Sequence, residues 1–294
     1  MTMLRSLSPL VHLSRCASSS HSSAAIQMAY NRTGDVTENV PLVIGHGLFG
    51  QKQNWNAVSK ALNKRLNTPI YLIDFRNHGE SPWTDEHTYD LLADDLALFI
   101  ENVVQKESGQ SKVNILGHSM GGKAVSHFAV QPNKQHLLDK LIVEDIAPNR
   151  GSSSSLFIRY VEALQKLDLN KPRREILLDL EDVVPHLKTR QFLLTNLVLD
   201  SSGGSNRFKW KINLAGIGNS LQHLFEFKLE GGKFEGSSLF IYGTRSDFVN
   251  EEDKPLVKRF FPNATFKSVE AGHWLHAEAP EAFVDNVVEF LLHN

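Results

Sequence analysis

The sequence predicts an α/β protein: a mostly parallel central sheet with flanking helices and an inserted helical cap. Three observations carry that reading. Short β-rich runs are apolar nearly throughout, which marks strands covered on both faces. Stretches with helical apolar spacing lie between them, and strands alternating with helices give a parallel sheet with right-handed crossovers. From 150 to 236 the strands stop and only helical patterns remain, so a cap interrupts the sheet before its last strands.

The first residues stand apart from this pattern. Residues 1–25 contain Arg5 and Arg15, a crowd of serines and no acidic side chain, the composition of an organelle transit peptide. Leu4, Leu7, Leu10, Val11 and Leu13 can form one apolar helical stripe, and the positive charges suit import across a membrane that is negative inside. Ser8, Pro9, His12 and Ser14 break up any central apolar block of the secretory kind. Residues 1–24 are therefore expected to be a mitochondrial transit peptide, with the matrix as destination. Its removal takes away two positive charges, moving the net charge from −2 to −4, and takes with it Cys16, the chain's one cysteine.

Residues 25–149 form the first part of the core. Its strands are VPLVIG at 40–45, PIYLID at 69–74, KVNILG at 112–117 and KLIVED at 140–145. Helical spacing appears at Leu91, Leu92, Leu96, Phe99 and Ile100, and again at Phe128 and Val130. The cap, 150–236, reads as helices only: LFIRYVEALQKL, REILLDLEDVV, RQFLLTNLVL and AGIGNSLQHLFEF, broken by SSGGS at 201–205 and GGKFEG at 231–236. Residues 237–294 complete the core with SLFIYG at 238–243, TFKSVE at 265–270 and a last helix carrying Phe283, Val284, Val287, Val288 and Leu291.

Composition narrows the function. The chain has 294 residues, 41% hydrophobic and 22% charged, enough for a packed globular core. Lysine plus arginine is 31 against 33 aspartate plus glutamate, so there is no basic surplus to release counterions from nucleic acid, and none is expected as a partner. No uninterrupted apolar run approaches the length that spans a bilayer. One cysteine excludes intramolecular disulfides and thiolate metal sites, and the histidines show no H-E-x-x-H or similar spacing, so a metal site is not expected.

The chemistry is carried by GHSMGG at 117–122, which follows the strand KVNIL and opens a helix. This is the G-x-S-x-G nucleophile elbow in the context that gives the motif meaning. Gly117 and Gly121 let strand and helix approach while Ser119 takes a strained conformation that pushes its hydroxyl out of the turn. A serine hydroxyl needs a general base, and in this topology the base arrives on the loop after the final strand, where His273 stands. His276, three residues on and leading into the last helix, reads as structural. Two backbone N–H groups must face the developing oxyanion: Met120 offers the one after the nucleophile, and HGLFG at 46–50 offers the other, through Leu48.

HGLFG, DFRNHGESP at 74–82, GHSMGGK at 117–123, EDIAP at 144–148, LLTNL at 193–197 and AGHWLHAE at 271–278 together resemble the α/β-hydrolase superfamily. Within it the likeness is to a branch of eukaryotic mitochondrial hydrolases and bacterial esterases, over essentially the whole chain after the transit segment. The resemblance implies a serine hydrolase acting on carboxylic or acyl thioesters without a cofactor, with Ser119 and His273 falling on the nucleophile and base. Arg76, Asn77 and His78 match the family's RNHG turn and read as scaffolding beneath the site's rim. Serine in place of aspartate disfavours the epoxide hydrolases and haloalkane dehalogenases of the same fold. Leu156, Phe157, Tyr160, Phe192, Leu193, Leu194, Trp210, Leu224 and Phe225 of the cap offer apolar surface to enclose an acyl chain. The expected substrate is a small acyl or lipid ester, an acylglycerol included, or a thioester. The competing reading is a non-catalytic, partner-binding or chaperone-like protein of the mitochondrion on a hydrolase scaffold; the intact Ser119, His273 and Leu48 loop argues against it.

The acid that orients the base has two candidates. The superfamily's usual place follows the strand after the cap, where G-x-x-D spacing from Gly243 falls on Ser246 and leaves Asp247 one step late. Asp145 lies at the end of the strand directly after the nucleophile helix, next to the elbow in a parallel sheet. The resembled branch keeps the DIAP segment and often lacks an acid at the position of Ser246, which favours Asp145 and leaves Asp247 as the alternative.

Overall fold

The structure, a computed structural model, describes residues 24–150, 154–200 and 207–293. The expected transit segment, but for its last residue, and the SSGGS break lie outside the described residues. Strands β1 (Tyr30–Thr33), β2 (Leu42–Gly45), β3 (Ile70–Ile73), β4 (Val113–His118) and β5 (Leu138–Glu144) precede the cap. A hairpin of β6 (Leu197–Leu199) and β7 (Phe208–Trp210) lies within it, and β8 (Ser238–Gly243) and β9 (Ala264–Val269) follow it. The main sheet runs β1-β3-β2-β4-β5-β8-β9, with β1 antiparallel to β3 and every other pair parallel.

Strands β2 to β5 and β8 are largely apolar because both faces of the sheet are covered there, whereas the edge strands β1 and β9 are half-exposed. Val43, Ile115, Val143 and Phe240 point into the core shared with helices Tyr89–Phe99 and Met120–Val130. Their neighbours Leu42, Ile44, Leu116, Ile142, Leu239 and Ile241 point to the other face, against Asn56–Leu66 and Pro280–His293. Alternation along each strand therefore distributes apolar side chains to two cores. The chain steps from β2 outward to β3 and then back across to β4, so the order reverses between β2 and β4, and a crevice opens at their C-terminal ends.

Two elements differ from the sequence reading. β1, with the sequence YNRT, was not anticipated: it is a half-exposed edge strand and carries no apolar run. The cap is not purely helical. Helices Ser154–Lys166, Arg173–Asp179, Leu187–Leu194 and Leu214–Glu226 are joined by the β6–β7 hairpin, so the stretch RQFLLTNLVL is helix only to Leu194. Three-residue strands are too short for a two-residue period to stand out from a helical one.

The RNHG turn ties the N-terminal stretch to the core. Arg76 and Asp95, both fully buried, form a two-pronged ion pair with both contacts at 2.7 Å. The same carboxylate accepts from the Ile26 N–H at 2.7 Å, and Arg76 donates to the Ala24 carbonyl at 3.3 Å. Asp95→Ala would leave the guanidinium buried without its counter-charge, an expected loss of about 3–5 kcal/mol in urea denaturation; a loss under about 1 kcal/mol would show that the pair does not anchor this region.

Candidate active site

The nucleophile elbow is a place where backbone passes backbone. A Cβ on Gly117 would fall 2.3 Å from the Gly121 carbonyl oxygen, and one on Gly121 would fall 2.5 Å from that of His46. Ser119 between them has φ 52 and ψ −116, a region L-residues rarely adopt. Its N–H is fixed by the Glu144 carbonyl at 3.0 Å, and the helix begins at the next residue. The Met120 N–H is thus one of the helix's first four, which have no partner within the helix.

The loop after β2 meets this helix start. Gly50 N–H donates to the Gly47 carbonyl at 2.9 Å within the loop and Phe49 N–H to His78 Nε2 of the RNHG turn at 3.2 Å, and Leu48 N–H takes part in neither bond. The Phe49 carbonyl accepts from Asn196 of the cap at 2.8 Å, and Gln51 donates to the Thr195 carbonyl at 3.2 Å. Beneath the loop, His46 Nε2 accepts from Phe75 N–H at 3.1 Å while its Nδ1–H donates to the Gly47 carbonyl at 2.8 Å. His78 donates through Nδ1 to the Arg76 carbonyl at 3.0 Å. Both imidazoles thus bond in their neutral form, and burial holds both below the usual histidine range. The RNHG turn acts as scaffolding in this way: His78 supports the loop, and the Asn77 carbonyl accepts from the Asn213 N–H of the cap at 2.9 Å.

Of the two candidate acids, the structure brings Asp145 to the histidine. Asp145 follows β5 directly, is fully buried and has φ 51. Its Oδ2 accepts from His273 Nδ1 at 2.6 Å and from Ser246 Oγ at 2.5 Å, while Oδ1 accepts from Gly243 N–H at 2.9 Å. Asp247 is exposed, and its main-chain carbonyl accepts from Arg150 at 3.0 Å. The turn closed by Ser246 N–H on the Gly243 carbonyl at 3.2 Å directs Ser246 inward and Asp247 outward, so the position where the usual spacing wants an acid supplies a donor to Asp145.

His273 lies on the loop after β9, with Phe248 against its ring at 4.2 Å and its carbonyl accepting from His118 Nε2 at 2.9 Å. His276 is bound to Glu144 by its backbone N–H at 3.0 Å and by Nδ1 at 2.9 Å, and stacks on Trp55 at 4.1 Å, as a structural residue would. His118, Glu144 and His276 are the group among the described residues whose potential ligand atoms lie within 4.8 Å of one another. Glu144 accepts from His276 Nδ1, and His118 Nε2 donates to the His273 carbonyl.

Ser119, His273, Leu48 and Met120 line one cavity of about 270 Å³ with Phe157, Tyr160, Phe192, Leu193, Leu224 and Phe225 of the cap. Leu194 and Trp210, expected there, are elsewhere: Leu194 is in the cap's core, and Trp210 sits in the hairpin beside a second, shallower hollow. Lys123, Tyr89, Ile146, Phe248 and Trp274 line the cavity unanticipated. For Lys123 a signal existed, since it stands one helical turn after Ser119.

A family model described as the alpha/beta hydrolase fold matches residues 40–280. The chain belongs to the alpha/beta hydrolase fold family. It is 35% identical over 288 residues to the sn-1-specific diacylglycerol lipase ABHD11 of Danio rerio, covering 95% of this chain and 87% of the relative. It is 32% identical over 278 residues to a Saccharomyces cerevisiae protein named as a probable alcohol acetyltransferase, covering 88% and 80% respectively. A solved structure described as a marine microorganism esterase superposes with a TM-score of 0.82 and 32% identity over 90% of this chain and 100% of that one.

The neutral imidazoles make the hydrolase core sensitive to acid. His46, His78, His87 and His118 are all buried and held below the usual histidine range by desolvation, His87 down to about 3. As pH falls below about 6.5 the unfolded chain takes up protons that the folded one refuses. Stability is therefore full above that pH and falls below it until each folded-state value is reached, by up to about 1.4 kcal/mol per pH unit for each group. Urea midpoints between pH 6.5 and 5.5, above the range of ordinary carboxylates, are expected to drop steeply, and less so in His87→Phe; a flat profile would contradict the neutral, buried assignment.

Proposed function

We propose that the cavity is the active site of a carboxylic ester hydrolase in which Ser119 is the nucleophile, His273 the general base and Asp145 the orienting carboxylate. The single observation that carries this reading is the 2.6 Å bond between His273 and the fully buried Asp145, at the same sheet edge and around the same cavity as a serine held in the strained elbow conformation. Ser119 Oγ attacks the ester carbonyl carbon as its proton passes to His273 Nε2. Asp145, accepting from Nδ1, stabilises the imidazolium that forms. The carbonyl oxygen becomes an oxyanion facing the N–H groups of Leu48 and Met120. Collapse breaks the bond to the alcohol, which leaves with the proton from His273, and water then attacks the acyl-enzyme by the same proton route. No cofactor enters these steps.

The relatives' names, a diacylglycerol lipase and an esterase, agree with ester hydrolysis. The apolar cavity suits small acyl or acylglycerol esters and also admits thioesters. Residues 150–236 act as a lid over the core made by 25–149 and 237–294. The yeast relative's name points to an alcohol in the place of water; with ethanol present, ethyl ester as against free acid in the products separates the two acceptors. A purely partner-binding role on this scaffold has no need of a carboxylate with three donors aimed at it.

Ser119→Ala is expected to lose about 10³-fold or more in turnover and all labelling by a fluorophosphonate probe while staying folded. Retention of a tenth of the activity would sink the assignment. Asp145→Asn is expected to lose about 10²- to 10⁴-fold, whereas Asp247→Asn should stay within about twofold; the reverse pattern would return the acid to the post-cap loop.

We further infer from their serine-rich, acid-free composition that residues 1–24 send the enzyme to the mitochondrial matrix, where any protein partner would also reside. No helix among the described residues is long and apolar enough to cross a membrane. A fluorescent fusion lacking residues 1–24 should keep esterase activity and lose import; unchanged localisation would defeat the targeting proposal.

A further inference from the structure

Lys123 brings a cation into the apolar cavity that the hydrolytic steps do not use. It stands on helix Met120–Val130, one turn beyond Ser119, is only 4% exposed, lines the cavity, and makes no hydrogen bond or ion pair among the described residues. The other buried lysines and arginines each meet a carboxylate: Lys52 with Asp74 at 2.6 Å, Lys134 with Asp94 at 2.9 Å, Arg76 with Asp95 at 2.7 Å and Arg190 with Glu181 at 2.9 Å. Burial without a counter-charge pushes the Lys123 ammonium down to about 8, so it keeps its proton at neutral pH. Tyr89, on the helix packed alongside, is equally buried, lines the same cavity, and its hydroxyl has no partner among the described residues. A cation and a hydroxyl that open on the cavity without a protein partner are left to water until a ligand displaces it. An alkyl chain would leave both unpaired, whereas a carboxylate offers one oxygen to each.

We propose that Lys123 and Tyr89 form a carboxylate-binding subsite, so that the favoured substrates are esters carrying a free carboxylate, such as half-esters of dicarboxylic acids. The inference rests on the ester-hydrolase reading and narrows its substrate class. A site built around a polar group discriminates against the analogue that lacks it far more strongly than an apolar pocket discriminates by size.

The test compares kcat/KM for matched esters. One arm carries the anion on the acyl side: 4-nitrophenyl half-esters of succinic, glutaric and adipic acid against neutral branched-alkyl isosteres such as the 5-methylhexanoate. The other carries it on the alcohol side, as acetates of ω-hydroxy acids against acetates of isosteric alkanols. A preference of at least tenfold for the anionic ester in either arm, lost by at least tenfold in Lys123→Met, is expected, and the arm that shows it says which side reaches the subsite. Tyr89→Phe, which removes only the hydroxyl, should reduce the same ratio and serves if Lys123→Met fails to fold. Neutral esters turned over as fast as anionic ones in both arms, or a ratio untouched by both variants, overturns the subsite while leaving the hydrolase reading in place. No turnover of any ester and no fluorophosphonate labelling would instead overturn the hydrolase reading itself.

Discussion

Three backbone segments pass closer at the elbow than any side chain allows, and the site's geometry depends on that approach. The Gly121 position faces the carbonyls of Gly45 and His46, and the Gly117 position faces that of Gly121. Because β2 and β4 are hydrogen-bonded neighbours with Gly45 opposite Gly117, the loop after one strand and the helix after the other are brought into a single turn's reach. A methyl group at either glycine would have to push the helix off the sheet, moving Ser119 and the N–H of Met120 together. The strain stored at Ser119 is sustained by this packing, since neighbours on all sides determine its conformation.

Around that centre the protein treats charge in two ways. Fixed charges in the interior, Lys123 apart, are closed into pairs, as in Arg76 with Asp95 and Lys52 with Asp74, whose carboxylate also accepts from the Lys52 N–H and the Glu80 N–H. Groups that can lose their charge do so: His46 and His78 serve as uncharged brackets, each donating from one nitrogen and accepting a backbone N–H at the other. The loop after β2 is consequently held by hydrogen bonds that place no formal charge beneath the cavity, where such a charge would act on any oxyanion formed above.

The parts of this arrangement that the sequence displays are those where one physical demand leaves few residue choices. Strands covered on both faces must be apolar, so five of the seven strands of the main sheet stand out, while the half-exposed edge strand β9 is legible only by its place before His273 and the polar edge strand β1 is not legible at all. Close backbone approach must be glycine, which exposes the elbow. Which way a side chain points at a strand end is a different matter. Asp145 faces His273 through φ 51 at its own backbone and a turn that rotates Ser246 inward, and neither leaves a mark on spacing alone. The resemblance in the DIAP segment, not periodicity, favoured that residue. Lys123 stands in full view within GHSMGGK, but its isolation is a property of the cap above it and of a cavity lining that holds no acid among the described residues.

The contacts of Asn196 with Phe49 and of Gln51 with Thr195 join the cap to the loop beneath it at a point far from either in sequence. In engineering terms they form a coupling rather than a seam. A chimera that exchanged the cap for that of a relative would inherit a loop whose Phe49 carbonyl and Gln51 amide had lost their partners, unless the graft carried an amide donor and a matching carbonyl at positions 195 and 196. Cap evolution is thereby constrained at two residues near its middle, as it is at Asn213 and Ser220, which bond to the turn and loop below them.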